Sequence, residues 1–442
     1  MSDDASPIRL GGTAVAVFGL LVAYCAHAQA PGLKAGANTE NSTAPFFIDL
    51  GGLDFKTTPP TRDPRNPQYP AATELPDGVP PGSNAQGNFI IGPTHKPGPE
   101  TLNEDVPKGQ VITFTMSSRE SVIYSPGMVR DGSLKSAPTV SYDPSNLIVS
   151  ASRPGTWTRS ISVYLSKQLS RSGPAPFLIV GDGGWLDATI FTVLDNLIAQ
   201  KKLPPMIAIT IGAGGQDAQG SERGFEYDTV SGTYAEFVER EVLPLVERKT
   251  GVNLSHDPDA RATMGFSSSG AAAFSMAWFR PDLYRRVLAY SPTMVNQQWP
   301  HSPALRGGAW EYHSPWAGPK DGAVLNAKGF EAPTPTDMAV ASPLIEKSAP
   351  KPIRVWFEVG DRDLWYPIGS MDDGMHDWVL ASENMAKVLA AKAYAYQFIF
   401  SRDAGHVDQP TFYQTLGAAL QWVWAGYRPS EDAGVAKRRA VQ

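Results

Sequence analysis

The string Gly265-Phe266-Ser267-Ser268-Ser269-Gly270 sets three consecutive serines in a glycine-flanked turn. It lies between a short strand-like run, Ala260 to Met264, and an alanine-rich helical run, Ala271 to Phe279. Strand, sharp turn carrying a serine, then helix is the layout of a nucleophile elbow, which lifts a hydroxyl above the edge of a parallel sheet beside a helix N-terminus. Strand and helix approach closely there, so small residues are needed two places before and two places after the nucleophile. Ser267 has Gly265 and Ser269 in those places, whereas Ser268 would put Phe266 in the first of them. Choosing Ser269 would put Ser267 before it and Ala271 after. Ser267 is the expected nucleophile, with Ser269 standing where a glycine is usual.

A hydroxyl is a weak nucleophile near neutral pH, so a base must take its proton and an acid must orient that base. In strand-turn-helix serine enzymes the order along the chain is serine, acid, histidine. His406 closes the turn Asp403-Ala404-Gly405-His406, after the strand-like Ala395 to Phe400 and before the last helical run. His376 competes but begins a helix, while His301 and His313 fall in an irregular stretch and suit pocket lining. His95 and His256 precede the serine. The acid should end the preceding strand, where Val359-Gly360-Asp361-Arg362-Asp363 offers Asp363, with Asp361 as its rival and Arg362 able to pair with either. A developing oxyanion needs donors. One is the backbone N–H of Ser268; the other is expected from Gly183, Gly184 and Trp185 in the string Gly181-Asp182-Gly183-Gly184-Trp185, which read blandly is a flexible turn.

These residues need a scaffold that brings strand ends together. From Gln110 the texture becomes strand-like, in Val111 to Met116 and in the alternating Ser160 to Leu165. After residue 175 strands and helices alternate. The strands are Pro176 to Val180, Met206 to Ile211, Arg261 to Phe266, Arg286 to Tyr290, Pro352 to Val359 and Ala395 to Phe400. The helices are Asp187 to Lys201, Tyr234 to Lys249 with a Thr233/Glu236 capping box, the run after the elbow, Trp378 to Ala391 and Thr411 to Trp424. Such alternation predicts a mostly parallel, doubly wound α/β sheet with helices on both faces, and ligands beyond the carboxyl ends of its strands. The catalytic domain is expected over 111–430. Its stretch 293–336 reads either as a lid-like insertion, with Trp299, Trp310 and Trp316 facing substrate, or as a long loop that those aromatics pack. Residues 29–110, rich in Pro and Gly, read as an extended arm or linker; a sandwich-like accessory domain over 31–150 is the other reading. Residues 431–442 are expected to be a solvated tail.

A formal charge of −6 and a pI near 5.7 argue against nucleic acid or an anionic membrane surface as the main partner. Thr13 to Ala26 is apolar, too short to span a bilayer comfortably, and runs into the small-x-small site Ala26-His27-Ala28. Residues 1–28 are thus expected to be a signal peptide, with an uncleaved anchor as the alternative, because Asp3 and Asp4 offset Arg9. The single cysteine, Cys25, falls inside this segment. A secreted or periplasmic mature chain would then lack disulfides, thiolate metal sites, a cysteine nucleophile and any membrane span. No metal or cofactor is expected, and the oligomeric state is left open.

Several segments together resemble the esterase D and enterochelin-esterase-like family of α/β-hydrolases, also called the putative esterase family. The elbow Met264 to Gly270 and the helix end Phe274 to Asp282, with Arg280-Pro281-Asp282, carry the likeness first. Leu194 to Ile198 followed by Pro204-Pro205-Met206 is similar to the helix and strand after the oxyanion loop. Glu222 to Tyr227 resembles the family's charged loop, and Glu241 to Pro244 the following helix. Lys351 to Val355 leads into the acid strand, and Gly405-His406 matches the histidine turn. The likeness covers roughly 155–427. It implies an α/β-hydrolase fold, a metal-free triad of Ser267, Asp363 and His406, and hydrolysis of small-molecule or oligosaccharide esters. It further implies that Arg223 and Glu226 brace the active-site loops. Siderophore, feruloyl and acetyl-xylan esterases, thioesterases and acyltransferases share the family, so acyl transfer and a non-catalytic binding role stand as alternatives.

Overall fold

The computed structural model describes residues 46–47, 70–102, 104–130, 148–149, 152–170, 173–215, 221–295, 308–319, 338–364 and 377–428. The expected signal segment with Cys25, His301, His376, Trp299, most of 293–336 and the expected tail lie outside them.

Ten strands form one sheet. In chain order they are β1 (Ala72–Glu74), β2 (Gly87–Ile91), β3 (Gln110–Ser117), β4 (Thr158–Leu165) and β5 (Phe177–Gly181). Then come β6 (Ile207–Ile211), β7 (Arg261–Phe266), β8 (Arg286–Tyr290), β9 (Arg354–Gly360) and β10 (Ala395–Ser401). Their order across the sheet is β1-β2-β10-β9-β8-β7-β5-β6-β4-β3. All pairs from β1 to β6 are parallel, and β4 runs antiparallel to both β6 and β3.

Continuous apolar runs such as Phe177-Leu178-Ile179-Val180 form central strands because both faces of the sheet are covered. Phe177 and Ile179 pack in one core with α3 (Thr233–Phe237), α4 (Leu243–Thr250), α5 (Ser268–Phe279) and α6 (Trp378–Ala391). Leu178 and Val180 pack in the other, with α1 (Asp187–Ala199) and α7 (Gln409–Trp424). The period-two alternation of each strand therefore feeds two apolar layers. This is the α/β-hydrolase arrangement the sequence calls for.

Three local readings are changed by the structure, and at Trp310 it decides between two. Within the expected arm over 29–110, Phe89-Ile90-Ile91 completes β2, which lies parallel to β10 through Ile399↔Phe89 and Ser401↔Ile91. The expected helix over Tyr234 to Lys249 is α3, a π turn at Val238–Val242 and α4 in succession. Its capping box is not formed, because Gly232 is the N-cap and Glu236 is held by Arg280. Glu222–Tyr227, resembling a charged loop, is a short helix, α2. Trp310 and His313 are buried in packing, with rings 4.9 Å apart and His313 Nε2 donating to Met294 O over 2.7 Å.

Candidate active site

The carboxyl ends of β7, β8, β9 and β10 lie side by side, and the sequence-predicted residues follow three of them. Ser267 leaves β7 with φ 53° and ψ −123°, a left-handed conformation unusual for a side-chain-bearing residue. The crossing is this tight because Gly265 has no side chain: a Cβ there would collide with the carbonyl of Ser269. Ser269, the departure from glycine, makes two hydrogen bonds of its own. Its Oγ accepts from Phe266 N–H and donates to Phe266 O, both at 2.8 Å. The ladder between β7 and β5 ends at Met264↔Val180, so this hydroxyl stands in for the missing strand neighbour. The elbow keeps its geometry with serine at that position.

Asp363 follows β9 in a turn closed by Asp363 N–H to Gly360 O at 3.2 Å. Its carboxylate accepts from His406 Nδ1 at 2.5 Å and from Leu364 N–H at 2.6 Å, and it is buried. Asp361 is aimed elsewhere, accepting from Ala404 N–H at 3.2 Å. A Cβ on Gly360 would collide with Ala404 O, so acid turn and histidine loop meet through bare backbone. His406 lies with its ring edge-on to buried Trp378, centroids 5.9 Å apart. Glu358, one strand turn below Asp363, is fully buried; burial first, and then the charge of Asp363, pushes its carboxyl well above the usual range.

The loop after β8 ties serine to histidine. Thr293 N–H donates to Ser267 O at 3.0 Å, and Val407 N–H donates to Ser291 Oγ at 2.9 Å. Among the described residues the hydrogen-bond partner of Ser267 Oγ is Thr293 Oγ1 at 3.3 Å, and no bond joins Ser267 to His406. Thus Asp363 and His406 are in contact, and Ser267 stands at the carboxyl end of β7 on the same edge of the sheet.

Ser268 is the first residue of α5, where a backbone N–H has no partner within the helix. In the loop after β5, Gly183 N–H donates to Ile211 O at 3.1 Å and Gly184 N–H to Asp187 Oδ1 at 2.9 Å. Those two amides hold the loop itself. Among the described residues Trp185 N–H makes no hydrogen bond, and the Trp185 indole is 57% exposed with its ring 6.0 Å from that of Phe266. Asp182, at φ 55°, is gripped by Arg223 through Nε at 2.8 Å and Nη2 at 2.7 Å, and its N–H donates to Tyr227 OH at 3.3 Å. Glu226, from the same short helix, is bound by the buried Arg159 of β4. Among the described residues no group of three or more His, Cys, Asp or Glu is placed to hold a metal ion. Likewise, no described helix is long and apolar enough to cross a membrane.

A family model described as "Putative esterase" matches residues 152–422, more than half of the 442-residue chain. The chain belongs to this esterase family. No curated protein matches the chain in sequence. Among solved structures it is similar to an enterochelin esterase from Shigella flexneri, at 19% identity over 61% of this chain and 55% of that one, TM-score 0.39. It is also similar to the Shigella flexneri enterobactin esterase in the presence of 2,3-dihydroxy-N-benzoyl-glycine, at 16% identity over 74% and 62%, TM-score 0.43. A feruloyl esterase module from Clostridium thermocellum, complexed with sinapinate, shares 13% identity over 79% of this chain and 98% of that one, TM-score 0.42. The esterase-family chain thus spans less than two thirds of the two Shigella structures.

Sequence reasoning missed Thr293, Ser291, Asp182 and Tyr227. Each acts by contact with a segment distant in the chain, and none carries a local pattern that announces it.

Proposed function

We propose that the protein is an exported serine esterase that cleaves carboxylic esters through an acyl-enzyme formed on Ser267. The observation that carries this reading is the 2.5 Å contact of Asp363 Oδ1 with His406 Nδ1, on the sheet edge where Ser267 occupies the elbow. Ser267 Oγ turns from Thr293 toward His406, whose Nε2 takes its proton as Oγ attacks the ester carbonyl carbon. The carbonyl π electrons move to oxygen, which meets the N–H groups of Ser268 and Trp185. Collapse breaks the bond to the alcohol, which leaves with the proton held by His406. Water repeats the sequence and releases the acid. Arg223 and Tyr227 support the second donor by fixing Asp182. The exposed Trp185 indole favours esters carrying a planar ring, a class that includes siderophore and plant-cell-wall carbohydrate esters. Export rests on the apolar segment ending at Ala26-His27-Ala28, which N-terminal sequencing of the mature protein would check.

The test is labelling by a fluorophosphonate probe, together with hydrolysis of aryl, feruloyl, acetylated-sugar and catecholate esters. Wild type is expected to be labelled and active; Ser267→Ala is expected to lose labelling and at least about 10³-fold in kcat. Equal labelling of both proteins, or of neither, removes the proposal.

A further inference from the structure

A polar cavity lies at the end of the sheet opposite the elbow, at the amino ends of β8 and β9. Its volume is about 600 Å³, and its lining includes Arg285, Arg286, Arg354, Arg428, Asp257 and Asp259. Arg286 and Arg354 are direct register partners on adjacent parallel strands. Like charges facing each other across a ladder repel, so something must hold this pair in place. No carboxylate of the described residues is in ion-pair contact with either; Asp259 pairs with Arg285 at 2.9 Å.

Part of the compensation comes from the C-terminus of α7, whose carbonyls carry the negative end of the helix dipole. Arg286 donates through Nη1 to Val423 O at 2.6 Å and to Ala425 O at 3.3 Å, and through Nε to Asp259 O at 2.6 Å. Arg354 donates through Nη1 to Ala425 O at 3.0 Å, with its guanidinium 4.1 Å above the Trp422 ring. These contacts occupy Nε and Nη1 of Arg286 but only Nη1 of Arg354. Arg354 Nε is buried with no acceptor, and neither Nη2 makes a hydrogen bond among the described residues. Burial pushes both guanidinium groups below their ordinary range. Arg354 falls to about 10 with Arg286 as the second cause, while Asp259 and Asp257 oppose the shift at Arg286. The exposed Arg428 adds a further cation at the mouth.

We propose that this cavity binds a small oxyanion, a phosphate- or carboxylate-bearing molecule held by the Nε–Nη2 edge of Arg354 and the remaining Nη2 of Arg286, with Arg428 at its rim. Planar guanidinium forks match such oxygens two at a time, and a bound anion would remove the repulsion between register partners. The strand between this cavity and the elbow runs from Arg286 to Tyr290, roughly 13 Å at about 3.3 Å per residue. An occupant here is therefore distinct from the ester at Ser267.

The probes are inorganic phosphate and malonate, added to the full chain at ionic strength matched with sodium chloride. Melting temperature and binding heat are measured for wild type, Ser267→Ala, Arg354→Met and Arg428→Gln. At saturating phosphate or malonate, wild type and Ser267→Ala should both rise by roughly 2–4 °C, and the stronger probe identifies the oxyanion class. Arg354→Met should lose the rise. Arg428→Gln, a surface change that leaves the fold intact, should bind about five- to tenfold more weakly. The proposal is overturned if chloride alone gives the same rise, if neither probe moves wild type, or if Arg428→Gln binds both probes as tightly as wild type.

Discussion

Ser269 shows how one hydroxyl can do the work of a strand neighbour. Where β7 outruns β5, Phe266 would otherwise keep a buried N–H and C=O without partners, and Ser269 Oγ meets both at 2.8 Å. Leaving such groups unsatisfied costs about 1–3 kcal/mol. Ser269→Ala keeps the elbow's packing and removes both bonds, so we expect stability to fall by about 2 kcal/mol. In urea denaturation this should appear as a lower midpoint with unchanged slope. An unchanged midpoint would mean that Phe266 finds other partners and that the hydroxyl is not a brace.

At the scale of elements, the short helix α2 and the strand β2 are the supports of the site. α2 sends Arg223 and Tyr227 to Asp182 and Glu226 to Arg159, so it clamps the loop after β5 against β4. β2 flanks β10, and His95 just beyond it hydrogen-bonds Arg402 O and Gln414 Oε1, each at 2.7 Å, which steadies the loop leading to His406. Because the clamp fixes a donor rather than binding the ester, Arg223→Met should lower kcat by about 10- to 100-fold with little change in KM. Arg223→Lys should recover little, since an ammonium cannot reproduce the two-pronged grip on a carboxylate. Wild-type kcat in Arg223→Met would show that the loop is held in another way.

Across the whole molecule, buried titrating groups set opposing dependences of stability on pH. Burial raises Asp377, the N-cap of α6, to about 6, with Asp363 contributing through charge. Its folded value lies above its unfolded one, so its contribution is present below about pH 4 and is lost as pH rises to about 6. Burial lowers His313 to about 4, so its contribution runs the other way, growing from about pH 4 to 6.5. Each displacement is worth about 3 kcal/mol, so the two largely cancel. Asp377→Asn keeps the cap to Leu380 N–H and removes one of the opposing slopes. The stability of Asp377→Asn relative to wild type should therefore rise by about 3 kcal/mol between pH 4 and pH 7, measured by denaturant unfolding at each pH. A parallel pair of pH curves would show that Asp377 titrates normally. Glu222, raised to about 8 by burial and then by Glu226, adds a further loss of stability extending to about pH 8 in both proteins.

What the sequence determined by itself was set by local chemistry. Period-two and helical patterns, glycines at tight crossings and the order serine, acid, histidine depend on neighbours a few residues apart. They were sufficient for eight of the ten sheet strands, the elbow and the candidates Ser267, Asp363 and His406. Tertiary structure alone decided what depends on groups distant in the chain. It turned Asp363 rather than Asp361 toward His406, joined β2 to β10 across more than three hundred residues of sequence, and made α2 a clamp where a charged loop was expected. It also engaged the amide of Gly183 with Ile211 of β6 and that of Gly184 with Asp187, leaving that of Trp185, and set Arg286 beside Arg354. A side chain's type says which bonds it can make, but only the packed sheet decides which partner stands within about 3 Å.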